Sequence, residues 1–239
     1  MDETYNTKAI ILRRQIFREH DLRVRVLSLQ AGKLDLVVRG GAKLSSKLAG
    51  HLEPLNYVNG MVVRGRYYDY LGTAVSKNCF INIKGDFDRL NLASQVVRTV
   101  DKSLRENEPL VNIFRLLNEF LIFLNNNQNL NSDFFYNIFV LRLFSELGYL
   151  PELYFCITCG NKIIDKRNFF NFAQGGLICH NCKRQNQNQK NILTVSNDCI
   201  KILRLTLQKN FFDLYKLDLD KNLLSEFNHK VQLWARYYL

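Results

Sequence analysis

The first third of the chain alternates apolar and polar positions. In Leu22-Arg23-Val24-Arg25-Val26 the aliphatic residues share one face and the arginines the other, the period-two mark of a half-buried strand. Ala31-Gly32 supplies a hairpin turn into Lys33-Leu34-Asp35-Leu36-Val37-Val38-Arg39, which alternates again, and Gly40-Gly41 ends that strand. Ala9–Leu12 precedes the pair, and Leu55–Val63 and Tyr67–Val75 follow it, with Gly60, Gly65 and Gly72 as punctuation. About five short strands with basic outward positions predict a small barrel of the OB-fold kind; an SH3-like barrel is the alternative that periodicity alone does not separate.

Past residue 85 the period lengthens. Leu90, Ala93, Val96, Val97, Val100 and Leu104 recur at helical spacing, and so do Leu110, Phe114, Leu117, Leu121 and Leu124. An Asn-rich loop spans Asn125–Asn131, and Ser132-Asp133 reads as the N-cap of a helix through Leu147, stopped by Gly148 with Pro151 beyond. Two last helices are predicted over Asn197–Gln208 and Leu223–Tyr238. The predicted fold is α+β and multidomain: an OB-fold barrel over 1–80, a helical-bundle domain over 81–153, a four-cysteine zinc lobe inserted at 154–190, and C-terminal helices over 191–239 that complete the helical domain.

The cysteines justify the inserted lobe. Cys156-x2-Cys159, nineteen residues, and Cys179-x2-Cys182 match the spacing of a zinc ribbon or treble-clef-like site. Gly160 and Gly175-Gly176 allow the tight turns, and Lys162–Phe172 is predicted to form a small hairpin around the ion. Four thiolates close the coordination sphere, so one structural Zn²⁺ is expected rather than a catalytic one, which keeps a position open for water. Disulfides are disfavoured because no basic n-region and apolar h-region open the chain, which therefore reads as cytosolic. No run of about 18 apolar residues suggests a membrane partner.

Charge narrows the class. The formal balance is +11, and residues 1–77 carry 13 Lys+Arg against 7 Asp+Glu, while 156–190 carry 6 against 1. The remainder is neutral, so two regions hold the whole excess, as a polyanion-binding surface requires. Four thiolates with Zn²⁺ lower the second region by about two charges. Candidate phosphate ligands are Arg23 and Arg25 on one strand face, Lys33 and Arg39 on the next strand, and Lys43 and Lys47 in the flexible Gly40–Gly50 loop. Arg64 and Arg66 join them, just ahead of Tyr67, Tyr68 and Tyr70; one of these tyrosines is expected to stack bases and the other two to pack in the strand.

No P-loop, H-E-x-x-H or zinc-deaminase signature occurs, and His20, His51, His180 and His229 are scattered, so binding rather than catalysis is expected. An RNA-binding module would share the barrel, the zinc and the charge, and annealing of coated DNA strands separates the two readings.

Beside these features stand longer matches. Ala9-Ile10-Ile11-Leu12, Glu19-His20-Asp21 and Gly32-Lys33-Leu34 resemble the start of the RecO recombination-mediator proteins of DNA repair. So do Val38–Lys43, Ser45–Gly50 and Leu52-Glu53-Pro54, and most specifically Glu146–Leu153 running into Cys156-Ile157-Thr158-Cys159-Gly160. The resemblance covers nearly the whole chain. It implies an OB-fold, a helical domain and a zinc-binding insertion; not every relative keeps the zinc cysteines, and this chain keeps all four. It further implies binding of single- and double-stranded DNA, annealing of complementary strands, action with RecR, and recognition of the C-terminal tail of single-stranded-DNA-binding protein. RecA loading on coated strands would follow, in a cytoplasmic, nucleoid-associated bacterial protein.

Overall fold

The computed structural model describes residues 4–185 and 191–238, so most of the polar tract Gln185–Lys190 lies outside the described residues. The chain divides into two compact units between Gln128 and Asn129.

In the first unit β1 (Thr4–Ile16), β2 (Leu22–Ser28), β3 (Gly32–Val38), β4 (Tyr57–Val63) and β5 (Asp69–Asn78) close a barrel in the order β1-β2-β3-β5-β4. All neighbours are antiparallel except β3 and β5, which run parallel through Leu36–Asp69 and Val37–Tyr70. The apolar half of each alternation fills the barrel: Ile11, Val24, Val26, Leu36, Val38, Val58 and Val62 are all buried. The Gly40–Gly50 segment is a series of turns, with Lys43 N–H donating to the Gly40 carbonyl and Ser46 N–H to that of Lys43, before a 3-10 turn at Ala49–Leu52.

Ile10, Leu27 and Val37 alternate with these core residues and are nevertheless buried, so the barrel wall is covered on its outside too. The cover comes from α1 (Ile81–Lys84), α2 (Phe87–Ser103) and α3 (Val111–Asn126): α2 packs on β1, and the Phe114 ring of α3 meets Tyr57 of β4 edge to face at 6.0 Å. After α2 the chain straps β3. Asn107 N–H donates to the Lys33 carbonyl at 2.9 Å, and Glu106 pairs with Lys33 as a parallel bridge. The approach is so close that a Cβ on Gly32, whose φ is +72°, would lie 1.9 Å from the Glu108 carbonyl oxygen.

The second unit is built on α4 (Ser132–Glu146), buried on most of its circumference by Phe134, Ile138, Phe139, Leu141 and Phe144 among others. It packs against α6 (Asn197–Gln208) and α8 (Lys221–Ala235), with the short α7 (Phe211–Tyr215) between those two in sequence. Trp234 of α8 stands edge-on to Phe144 at 5.9 Å. The N-cap of α4 is Asn131, whose side chain accepts from Phe134 N–H, one residue earlier than the sequence suggested.

The helices of the expected 81–153 domain group otherwise: α1–α3 pack on one another and fall in the first unit with the barrel, and α4 falls in the second with the later helices. The expected Lys162–Phe172 hairpin also changes. Only β6 (Asn168–Asn171) is a strand there; it pairs with β7 (Gly176–Ile178) on one side and β8 (Ile192–Val195) on the other, all antiparallel. The turn falls at Phe172–Gly175, where the glycine with φ +63° sits. No helix among the described residues is long and apolar enough to cross a membrane.

Candidate nucleic-acid interface and cysteine cluster

The basic candidates on the barrel separate into two sets. Arg25 lies opposite Asp35 across the β2–β3 pair and also reaches α2 and the strap, with 2.6 Å to Asp35, 3.3 Å to Asp101 and 3.5 Å to Glu106. The Asp35 hydrogen bond raises its pKa against the cost of burial, helped by the charges of Asp35 and Asp101. Lys33 is only 7% exposed; its Nζ donates to the Asp101 carbonyl at 2.6 Å, a cation on the last turn of α2, where the helix dipole favours one. Both charges, expected to meet phosphates, are turned toward Asp35 and Asp101 and fasten the barrel to α2. Arg23 is intermediate: it pairs with Asp35 at 3.1 Å and also lies 5.8 Å from the Phe17 ring.

Arg39, Arg64 and Arg66 behave differently. They are exposed and line one open groove of about 500 Å³ with Tyr67, Tyr70 and Leu71. Arg39 stacks over Tyr70 at 4.4 Å, Arg66 over Tyr67 at 5.3 Å and Arg64 over Tyr5 at 5.7 Å. The Arg39–Tyr70 contact follows from register, since β5 brings Tyr70 beside Val37, two residues before Arg39. Lys43 and Lys47 are exposed in the turns that follow.

Of the three tyrosines, two of which were expected to pack in the strand, only Tyr70 lies in β5; Tyr67 and Tyr68 precede it and are 79% and 38% exposed. Tyr68 makes an edge contact with Phe17 at 5.5 Å, and Arg18 lies 5.1 Å from the Phe17 ring. Phe17 and Arg18 were not marked in the sequence, because they sit in the turn after β1, outside any alternating stretch. Arginine over aromatic rings is the surface chemistry that neutralises a phosphate beside a stacked base.

In the second unit the four cysteine sulfurs lie within 4.8 Å of one another, with Cys159 and Cys179 at 3.9 Å. Four sulfurs at about 2.3 Å from a tetrahedral ion stand about 3.8 Å apart, so the set fits one Zn²⁺. The first pair sits on a tight knuckle in which Gly160 N–H donates to the Cys156 carbonyl and Cys156 N–H to that of Asn161, both at 2.8 Å. Segment 152–157 then runs beside β7, with Ile157 N–H on the Leu177 carbonyl at 2.9 Å. Gly176 permits this, since a Cβ there would meet the Ile157 side chain at 2.4 Å. The second pair lies at the start of α5 (His180–Gln185).

The donor set also favours a cation electrostatically. Burial opposes ionisation of Cys156, yet N–H groups of Cys179, Cys159 and Thr158 directed at it bring its pKa down to about 6. Cys182 is pushed up to about 12 by burial and by the neighbouring sulfurs. Four thiols this close need a positive ion before all can ionise.

The chain matches two family models, Recombination protein O N terminal over residues 1–80 and Recombination protein O C terminal over 84–239. It is 30% identical over 235 residues to the DNA repair protein RecO of Desulforamulus reducens, covering 98% of this chain and 90% of that one. The namesake in Dehalococcoides mccartyi is 28% identical over 238 residues, with the same coverages of 98% and 90%. That of Roseiflexus is 32% identical over 181 residues, 76% of this chain and 63% of its own. Matched along nearly its full length on both sides of the residue-80 border, the chain belongs to the RecO family of DNA repair proteins.

Proposed function

We propose that this chain is a recombination mediator that binds single- and double-stranded DNA through an OB-type barrel and anneals complementary strands. The observation that carries the reading is the groove of Arg39, Arg64 and Arg66 interleaved with Tyr67 and Tyr70. Arginines there neutralise phosphates without reading sequence, and the exposed Tyr67 ring offers a base face. Lys43 and Lys47 extend the basic track. No bond is made or broken in this activity.

Cys156, Cys159, Cys179 and Cys182 would hold one structural Zn²⁺, which supplies charge neutralisation and a cross-link between the knuckle and α5. Following the family, the protein would act in the cytoplasm, at the nucleoid, with RecR on strands coated by single-stranded-DNA-binding protein. It would engage the C-terminal tail of that protein and so assist RecA loading.

The test is strand annealing on coated complementary oligonucleotides, with the wild type and with Arg39→Ala/Arg64→Ala/Arg66→Ala. Acceleration by the wild type and its loss in the variant are expected. Equal annealing by both would remove the groove from the mechanism, and tight binding of RNA without annealing of DNA would favour an RNA-binding module.

A further inference from the structure

The barrel is one of two basic regions, and the second has no task in the reading above beyond holding zinc. Residues 156–190 carry 6 Lys+Arg and a lone acid, Asp165. That carboxylate accepts a hydrogen bond from the Asn197 amide. Lys162 and Lys166 are exposed and pair with no carboxylate among the described residues.

Beside them stands an aromatic side chain where burial would be ordinary. Phe155 directly precedes the buried Cys156 and is 50% exposed. It pairs with Lys162 as an antiparallel bridge across the knuckle, so the ring and the ammonium stem rise from directly opposed positions on one face. Ile163, next along, is buried, with its N–H on the Tyr154 carbonyl at 2.8 Å. Ile164, 54% exposed, continues the surface. The loop carrying it is fixed, because the buried Asn168 amide donates to the Ile164 carbonyl at 2.8 Å and to that of Lys166 at 2.9 Å.

We propose that this knuckle is a second single-strand contact, with Phe155 as a stacking platform and Lys162 and Lys166 as phosphate partners. Lone surface lysines or a lone exposed ring would be unremarkable. Here a cation and a ring are paired on a hairpin held by backbone hydrogen bonds and by the cysteine cluster, so little ordering entropy opposes binding. An apolar protein partner would leave both lysines unpaired, and a duplex presents no base face to Phe155. The inference is independent of the barrel reading. A chain with two such contacts can hold two strands at once.

The test uses the full-length, zinc-loaded protein and fluorescent oligothymidylate. Lys162→Glu/Lys166→Glu should lower the slope of log affinity against log salt by about 1.4, the share of two phosphates. Phe155→Ala should weaken single-strand binding about fivefold or more and duplex binding little. In the Arg39→Ala/Arg64→Ala/Arg66→Ala background, residual binding should persist and be removed by the two glutamates. Zinc content and melting temperature accompany each measurement, and Lys162→Gln/Lys166→Gln replaces the glutamates if they disturb folding.

Unchanged affinity and salt slope in a zinc-loaded knuckle variant would overturn the proposal. So would complete loss of binding in the barrel variant alone, an outcome that leaves the barrel reading intact. Full binding in the barrel variant, lost on adding the knuckle changes, would sustain the proposal and overturn the barrel reading.

Discussion

The barrel and the cysteine lobe are both small β-structures with basic surfaces, but they are held together by different physics. The barrel closes five strands of seven to thirteen residues around a contiguous aliphatic core and is covered outside by helices. The lobe has strands of four, three and four residues, too short to bury a comparable core, and places four sulfurs at the end of its sheet. One region is stabilised by burial; the other would draw its stability from the ion that its four sulfurs fit.

The widest gap between the two should appear on metal removal. Chelation, or Cys182→Ser, should unfold the lobe, a loss on the order of 10 kcal/mol of metal-linked folding energy, and leave the barrel folded. Limited proteolysis would then cut within 155–185 first, and cleavage inside 22–78 at the same rate would break the contrast. Acid should act in the same direction. Protons compete with the metal for all four thiolates, so metal retention should fail as pH falls. Zinc release followed between pH 8 and 5 checks this.

Leu36→Ala offers the converse, with about 3 kcal/mol lost from the barrel by denaturant titration and zinc content unchanged. Lys33→Ala sharpens the division inside the barrel's charges. It should cost about 1–2 kcal/mol, from the Asp101 carbonyl left without its donor, without altering the salt slope of DNA binding. The triple alanine variant of Arg39, Arg64 and Arg66 should do the reverse, lowering that slope by about 2 with little change in melting temperature. The smallest effect is expected at Ser196→Ala, which removes the cap on Cys199 N–H at the start of α6 and costs about 1 kcal/mol.

What could be read from sequence was local. Alternation in 22–26 and 33–38 located two barrel strands and their inner residues, and α6 appears over the predicted Asn197–Gln208. Cysteine spacing alone brought together the four sulfurs. What alternation could not show was the outside of the barrel. Facing outward meant facing water for Arg39, but for Lys33 it meant facing Asp101, 68 residues away. Arg25 faces the same carboxylate from 76 residues away. Such partners leave no periodic trace. Likewise β8 and α7 are four and five residues long, too short for a period to register, and Lys162–Phe172 looked like a hairpin because its aromatic residues are dense.

The strap on Gly32 bears on how the protein is made. Glu108, whose carbonyl sits where any other side chain at position 32 would begin, leaves the ribosome 28 residues after the end of the barrel segment at residue 80. At about 5–20 residues per second this is a delay of roughly 1–6 s, during which Leu27 and Val37 lack their cover. A barrel formed in that interval would present Ile10, Leu27 and Val37 to water until α2 and its strap arrive.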